Sequence, residues 1–204
     1  MTNPNQNIEQ HPLKPFMPEG AKVLMLGSFP PKRERWSMEF FYPNWINDMW
    51  RLVGLIFFQS RSYFEVEGEK RFDAERIISF CTERGLALFD AATQVRRLKD
   101  NASDKFLEVV APTDIKAQIA QLQDCRAVVV TGQKAMELVV EQFGCPTPAV
   151  GEYVEVNLEI REVRLWRMPS TSRAYPLPLE QKARVYRKMF ATEGILTESN
   201  NFNL

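Results

Sequence analysis

Two asparagines, Asn44 and Asn47, stand among Phe40, Phe41, Tyr42, Trp45 and Trp50. An Asn amide carries both donors and an acceptor, so it can hold a water or read the edge of a heterocyclic base, and an aromatic face can stack on such a base. Aromatics beside a helix also serve as plain core. A second group is Gly27, Ser28, Phe29, Pro30 and Pro31, followed by Lys32, Arg33 and Arg35. Glycine lets the backbone approach a ligand closely and the prolines stiffen the turn, which suits a loop pressed against a phosphate or a base edge. The same residues also make an ordinary strand-to-helix turn. A third group is Pro169, Ser170, Thr171, Ser172 and Arg173. Small hydroxyls donate to phosphate oxygens, and a longer side chain at such a loop tip can wedge into a duplex; the alternative is a loop that caps the next helix. The single histidine, His11, falls in the N-terminal stretch and is expected to be silent in the chemistry.

These groups must be positioned by regular elements. Short apolar runs over 22–26, 86–89, 126–130 and 163–168 each meet a Gly, Asp or Pro loop and read as strands. Apolar residues at helical spacing predict helices over 45–58, 74–82, 114–122, 134–143 and 179–190, with Asn44 as the cap of the first and residues 90–104 as a polar connection. Strands alternating with helices imply an α/β fold: three layers, α/β/α, around a short, mainly four-stranded parallel sheet. Ligands in such folds bind outside the carboxyl ends of the strands, where the second and third groups fall. The expected organisation is a flexible tail over 1–19, one domain over 20–192, a tail over 193–204, and a monomer.

The chain has 204 residues, enough for one domain with a sizeable core, and 45% are hydrophobic and 25% charged. No apolar run has the length of a membrane span, and the first residues lack the apolar stretch of a secretory signal. Cys81, Cys125 and Cys145 are odd in number and far apart, which fits neither a disulfide framework nor a metal knuckle. A cytoplasmic protein with buried thiols is expected, without membrane, metal or organic cofactor. Twenty-six basic and 26 acidic residues cancel, so any affinity for a polyanion must come from local placement. Most of Lys32, Arg33, Arg35, Arg96, Arg97, Lys99, Arg173, Lys182, Arg184, Arg187 and Lys188 are expected toward one sheet edge as a positive rim. The plainer possibility is a set of solvated surface charges.

Taken in order, the loop 27–31, the Phe41, Tyr42, Pro43 run, Asn47, Trp50 and the loop from Pro169 to Ser172 are similar to the uracil-DNA glycosylase superfamily, nearest to its hypoxanthine-DNA glycosylase and mismatch-specific branches. The resemblance covers residues 21–190. It implies a monofunctional DNA N-glycosylase that flips a deaminated base out of DNA and hydrolyses its N-glycosidic bond, with DNA containing a damaged base as partner. By the same resemblance, Tyr42 stacks on the base, and the backbone of Gly27, Ser28, Phe29, Phe89 and Asp90 meets its edge. Lys32, Arg33, Pro169, Ser170, Thr171, Ser172 and Arg173 contact the DNA. Many branches carry a catalytic Asp or Asn where this chain has Phe29, which cannot activate water. The hypoxanthine branch likewise lacks that acid and offers an Asn before the Trp of the next helix, which corresponds to Asn47, with Asn44 in reserve. Met168 stands where the best-known branch has a His that stabilises the leaving base. The iron-sulfur branches need four placed cysteines, so no cluster is expected. Phe29 and Met168 also leave open a glycosylase-fold protein that binds nucleic acid without cutting it, or a hydrolase of free nucleosides or nucleotides.

Overall fold

The computed structural model describes residues 8–99 and 104–196. The three most apolar runs become β2 (Val23–Gly27), β3 (Leu86–Asp90) and β6 (Ala127–Thr131) once the N-terminal strand β1 (Ile8–Gln10) is counted, and every residue of those three is buried. A strand covered on both faces needs apolar side chains on both, which is why these runs do not alternate. Together with β8 (Arg161–Met168) they pair in parallel in the order β3-β2-β6-β8, and β7 (Tyr153–Leu158) adds an antiparallel edge to β8. The four parallel strands are those expected from the sequence; β7 is an addition.

Among the described residues five α-helices flank the sheet: α1 (Met49–Phe58), α2 (Ala74–Arg84), α3 (Ile115–Gln121), α4 (Gln133–Phe143) and α5 (Leu179–Thr192). The chain runs from β2 to β3 in one direction across the sheet and from β6 to β8 in the other. Right-handed crossovers then put the intervening helices on opposite faces, giving three layers. Where the direction reverses, between the carboxyl ends of β2 and β6, the flanking loops diverge and leave a crevice.

The first helix begins later than its periodicity suggests. Asn44 Oδ1 accepts from the Ile46 amide at 3.1 Å and Asn47 Oδ1 from the Met49 amide at 2.9 Å. Such side-chain turns compete with the helical ladder, so Asp48 occupies the cap position in place of Asn44. Ile46, expected on the inner helix face, is 52% exposed.

The stretch read as a polar connection contains β4 (Ala92–Arg97), which pairs antiparallel with β1 and with β5 (Leu107–Pro112) in a second, three-stranded sheet. Its alternation was hidden because Arg97 points inward, buried against the Glu9 carboxylate at 2.9 Å. Part of that expected connection, residues 100–103, lies outside the described residues.

Both expected tails are partly built into the domain. Ile8–Gln10 is a strand, and Phe16 exchanges backbone hydrogen bonds with Leu88 at 3.0 and 2.8 Å. At the other end the Glu193 carboxylate, fully buried, accepts from both Arg164 nitrogens at 2.8 Å and from Trp166 Nε1 at 2.7 Å, and Ile195 is buried beside it. Residues 1–7 and 197–204 lie outside the described residues. Cys81 and Cys125 are buried, and burial pushes both thiols up, Cys125 to about 11; Cys145 is half-buried and also raised by desolvation. Among the described residues no helix is long and apolar enough to cross a membrane.

Candidate active site

A cleft of about 750 Å³ opens at the carboxyl ends of β2 and β6. Of the residues singled out from sequence, Gly27, Ser28, Phe29, Tyr42, Asn44, Asn47, Asp90, Pro169, Ser170, Thr171, Ser172 and Arg173 all line it. Lys32, Arg33 and Phe89 do not; Phe89 is buried, its ring against His11 and Phe41.

Gly27 and Asp90 are register partners at the ends of β2 and β3. A Cβ on Gly27 would stand 2.5 Å from Asp90 Oδ1 and 3.8 Å from the Tyr42 ring, so only glycine lets the carboxylate lie across the strand end. Asp90 Oδ2 is 2.9 Å from His11 Nε2, with the two side chains 11% and 4% exposed. His11, set aside as part of a tail, is therefore buried at the base of the cleft. Nothing in its own neighbourhood signalled this, because its partner lies 79 residues downstream.

Tyr42 adopts a left-handed backbone, φ 52°, a strain of about 1–3 kcal/mol for a residue with a Cβ. The surroundings hold it there: its hydroxyl meets Thr131 Oγ1 at 3.1 Å, and its ring stands edge-on to Trp50 at 6.3 Å. An aromatic face is thereby fixed beside the Gly27–Asp90 pair.

Asn47 is half-buried on the cleft wall. Its Oδ1 serves the turn, its carbonyl accepts from Arg51 Nη1 at 3.1 Å, and its Nδ2 makes no hydrogen bond among the described residues. The amide can therefore hold a water through Nδ2 and a remaining lone pair. Arg51 braces this wall: its side chain is 3% exposed, lies over the adjoining Trp45 and Phe72 rings, and pairs with Glu65 at 2.6 Å. Desolvation lowers the Arg51 pKa, with Glu65 acting in the opposite sense.

The loop after β8 continues this wall, joined to it by an antiparallel bridge between Asn47 and Ser172. Ser170 Oγ accepts from the Ser172 amide and Ser172 Oγ from the Ala174 amide, each at 3.2 Å, which leaves both hydroxyl protons for an outside acceptor. Pro169 O accepts from the buried Tyr186 hydroxyl at 2.8 Å, and burial drives that phenol's pKa well up. Asp48 fastens the loop to α1: its amide donates to Thr171 O at 2.9 Å, and its carboxylate takes Arg173 Nε at 2.9 Å and Lys182 Nζ at 3.4 Å.

Two positions lack polar groups, as their residue types require. Phe29 is buried in a small cluster with Ala92, Val95 and Leu107, and Met168 is 2% exposed. The positive rim is largely dissolved into internal pairs. Arg33 pairs with Glu39 and lies over the Trp36 ring, Arg96 pairs with Glu108, Arg97 with Glu9, Lys188 with Glu152, and Lys182 is 1% exposed. Among the described residues, six of the eleven expected rim cations pair with a carboxylate. The cations that do line the cleft are Arg97, Lys105, Arg167 and Arg173. Lys105 is exposed and makes no ion pair among the described residues. Lys105, Arg167 and Thr131 were missed from sequence, although Thr131 directly follows the third apolar run and could have been marked. Among the described residues no three His, Cys, Asp or Glu side chains gather as a metal site would need.

Fold and cleft define an open α/β sheet whose crevice, at the strands' carboxyl ends, offers an aromatic face, a carboxylate, an amide and a hydroxyl-bearing loop. No family model matches the chain, and no curated protein does. Among solved structures, the solution NMR structure of a candidate uracil DNA glycosylase from Methanosarcina acetivorans is similar to it, with a TM-score of 0.62 over 92% of this chain and 99% of that one, at 17% identity. The likeness is one of fold: the chain is a three-layer α/β/α protein of that type.

Proposed function

We propose that the chain is a monofunctional DNA N-glycosylase of the uracil-DNA glycosylase superfamily, which turns a deaminated base of hypoxanthine or uracil type into the cleft and hydrolyses its N-glycosidic bond. The observation that carries this is the convergence of Tyr42, Asp90, Asn47 and the Ser170–Ser172 hydroxyls on one cleft at the switch point of the sheet. Its volume of about 750 Å³ lies within the range of small-molecule sites. The sequence order that resembles the superfamily and the fold shared with the Methanosarcina protein support the same reading.

Cleavage requires a leaving base that takes up negative charge, a sugar that gains oxocarbenium character, and a water on the far face of that sugar. Asn47 holds the water; a neutral amide suffices where the attacked carbon is already cationic and the site excludes bulk solvent. Tyr42 stacks on the base, and the backbone of Gly27, Ser28 and Phe29 with Asp90 meets its edge. Ser170 and Ser172 grip the phosphates on either side, with Pro169 and Thr171 shaping that loop and Lys32, Arg33 and Arg173 supplying charge. The protein acts as a monomer in the cytoplasm. The test is incubation with oligonucleotides that each carry one of uracil, hypoxanthine, xanthine or an alkylated base, followed by alkaline cleavage. A strand break at a deaminated base is expected. Cleavage at none of them would overturn the proposal.

A further inference from the structure

We infer that His11 is a positioning residue: it holds one oxygen of Asp90 so that the other faces the cleft as an acceptor-only reader of the ring N–H that a base gains on deamination. This rests on the glycosylase reading above and deepens it.

The Asp90 carboxylate is gripped from two sides. Oδ2 lies 2.9 Å from His11 Nε2, and Oδ1 lies over Gly27, where even a methyl group would collide at 2.5 Å. An ionised carboxylate only accepts, so Nε2 carries the hydrogen. Nδ1 is 2.8 Å from Leu13 O and 3.2 Å from the Leu13 amide, so the far side of the ring has a backbone partner whether it donates or accepts. The ring is also fixed sideways, with Phe29 at 5.3 Å and Phe89 at 4.5 Å, and its own amide donates to Thr93 O at 2.8 Å. Oδ1 accepts no hydrogen bond from the described residues, although Asp90 lines the cleft. The pair thus leaves one acceptor, held at a set angle and unmet by the described residues.

Deamination changes the complement of that acceptor. When cytosine becomes uracil, N3 changes from a lone pair to an N–H; when adenine becomes hypoxanthine, N1 does the same. An oxygen that can only accept gains a hydrogen bond from either product and meets a lone pair on either parent. One oxygen therefore separates a pyrimidine and a purine product from their sources. Guanine and thymine carry the same N–H, so their rejection falls to other contacts. Without His11 the carboxylate loses its donor at Oδ2 and is free to turn or take the base edge in another register.

The experiment is single-turnover excision by the wild type, His11→Phe, His11→Gln and Asp90→Asn, with thermal melts alongside. The duplexes carry hypoxanthine, uracil, 1-methylhypoxanthine or 3-methyluracil; the methyl group removes the donor and adds bulk at the same edge, so the readout is how the preference changes between variants. The wild type should favour the N–H bases by about 10²-fold or more. His11→Phe, which keeps a ring but no donor, should cut excision of the N–H bases by about 10–100-fold and shrink that preference. His11→Gln, whose amide can reach the place of Nε2, should restore both. If His11→Phe does not fold, Asp90→Asn answers instead, since it should lose the preference with the N-terminal strand untouched. A merely structural His11 would leave the preference unchanged in the folded His11 variants while Asp90→Asn alone loses it, and that result would overturn the inference. So would a wild type that removes N–H and N-methyl bases equally well, which leaves the glycosylase reading standing. A wild type that excises no base at all would overturn both.

Discussion

Asp48 and Asp90 are equally hidden, with side chains 10% and 11% exposed, yet they sit in opposite circumstances. Asp48 is held by two cations, Arg173 and Lys182, and does not line the cleft. Its hydrogen-bonding capacity is used up in tying the loop after β8 to the start of α1. Asp90 is held by one histidine at one oxygen and keeps the other at the cleft. Burial of charge therefore does not mark a site. What marks one is buried polar capacity that the fold leaves unmet and turned toward a cavity.

The largest expected difference between the two acids is in stability. Asp48→Ala strands the Lys182 ammonium, which is 1% exposed, and should cost about 3–5 kcal/mol in a denaturant melt. Asp90→Ala removes one hydrogen bond and should cost about 1 kcal/mol while abolishing most excision. Equal losses of stability would erase the distinction drawn between them. Next in size is Asn47→Ala, expected to lower single-turnover excision about 10²-fold or more with DNA binding intact. If Asn47 serves only its turn to the Met49 amide, the variant should instead lose on the order of 1 kcal/mol and keep its turnover per folded molecule.

A smaller effect is expected from replacing Lys32, Arg33 and Arg173 together with Ala. Binding should weaken for all sequences alike, and the slope of log affinity against log salt should flatten by about 2. That is less than three full phosphate contacts, because Arg33 and Arg173 already have carboxylate partners. An unchanged slope would move the DNA surface elsewhere. The smallest effect is that of Ile46→Ala, which should change stability by no more than about 0.5 kcal/mol, since the residue is 52% exposed. A loss above about 1 kcal/mol would show that Ile46 packs as the helical spacing suggested.

Ile46 also shows where sequence reasoning succeeds and where it stops. Three of the four parallel strands were legible because burial on both faces demands unbroken apolar runs, β8 was legible from its apolar residues before Pro169, and the loops after them followed from strand polarity. Periodicity could not tell that Asn44 and Asn47 fold onto the next amides and delay α1, since an Asn before an apolar stripe reads equally well as a cap. β4 was hidden because its inward Arg97 is paired with Glu9, a partner no local pattern announces. For the same reason the site was legible in its loop residues and not in His11. Its role depends on a contact across most of the first half of the chain, made through a strand of three residues.

Base excision from DNA in the Tyr42, Asn47 and Asp90 cleft leaves two products whose masses can be read together. A duplex with a single hypoxanthine or uracil, incubated with the protein, should yield the free base and an otherwise intact strand lighter by that base and heavier by one water. Strands of unchanged mass, with free base released only from nucleosides or nucleotides, would contradict the account.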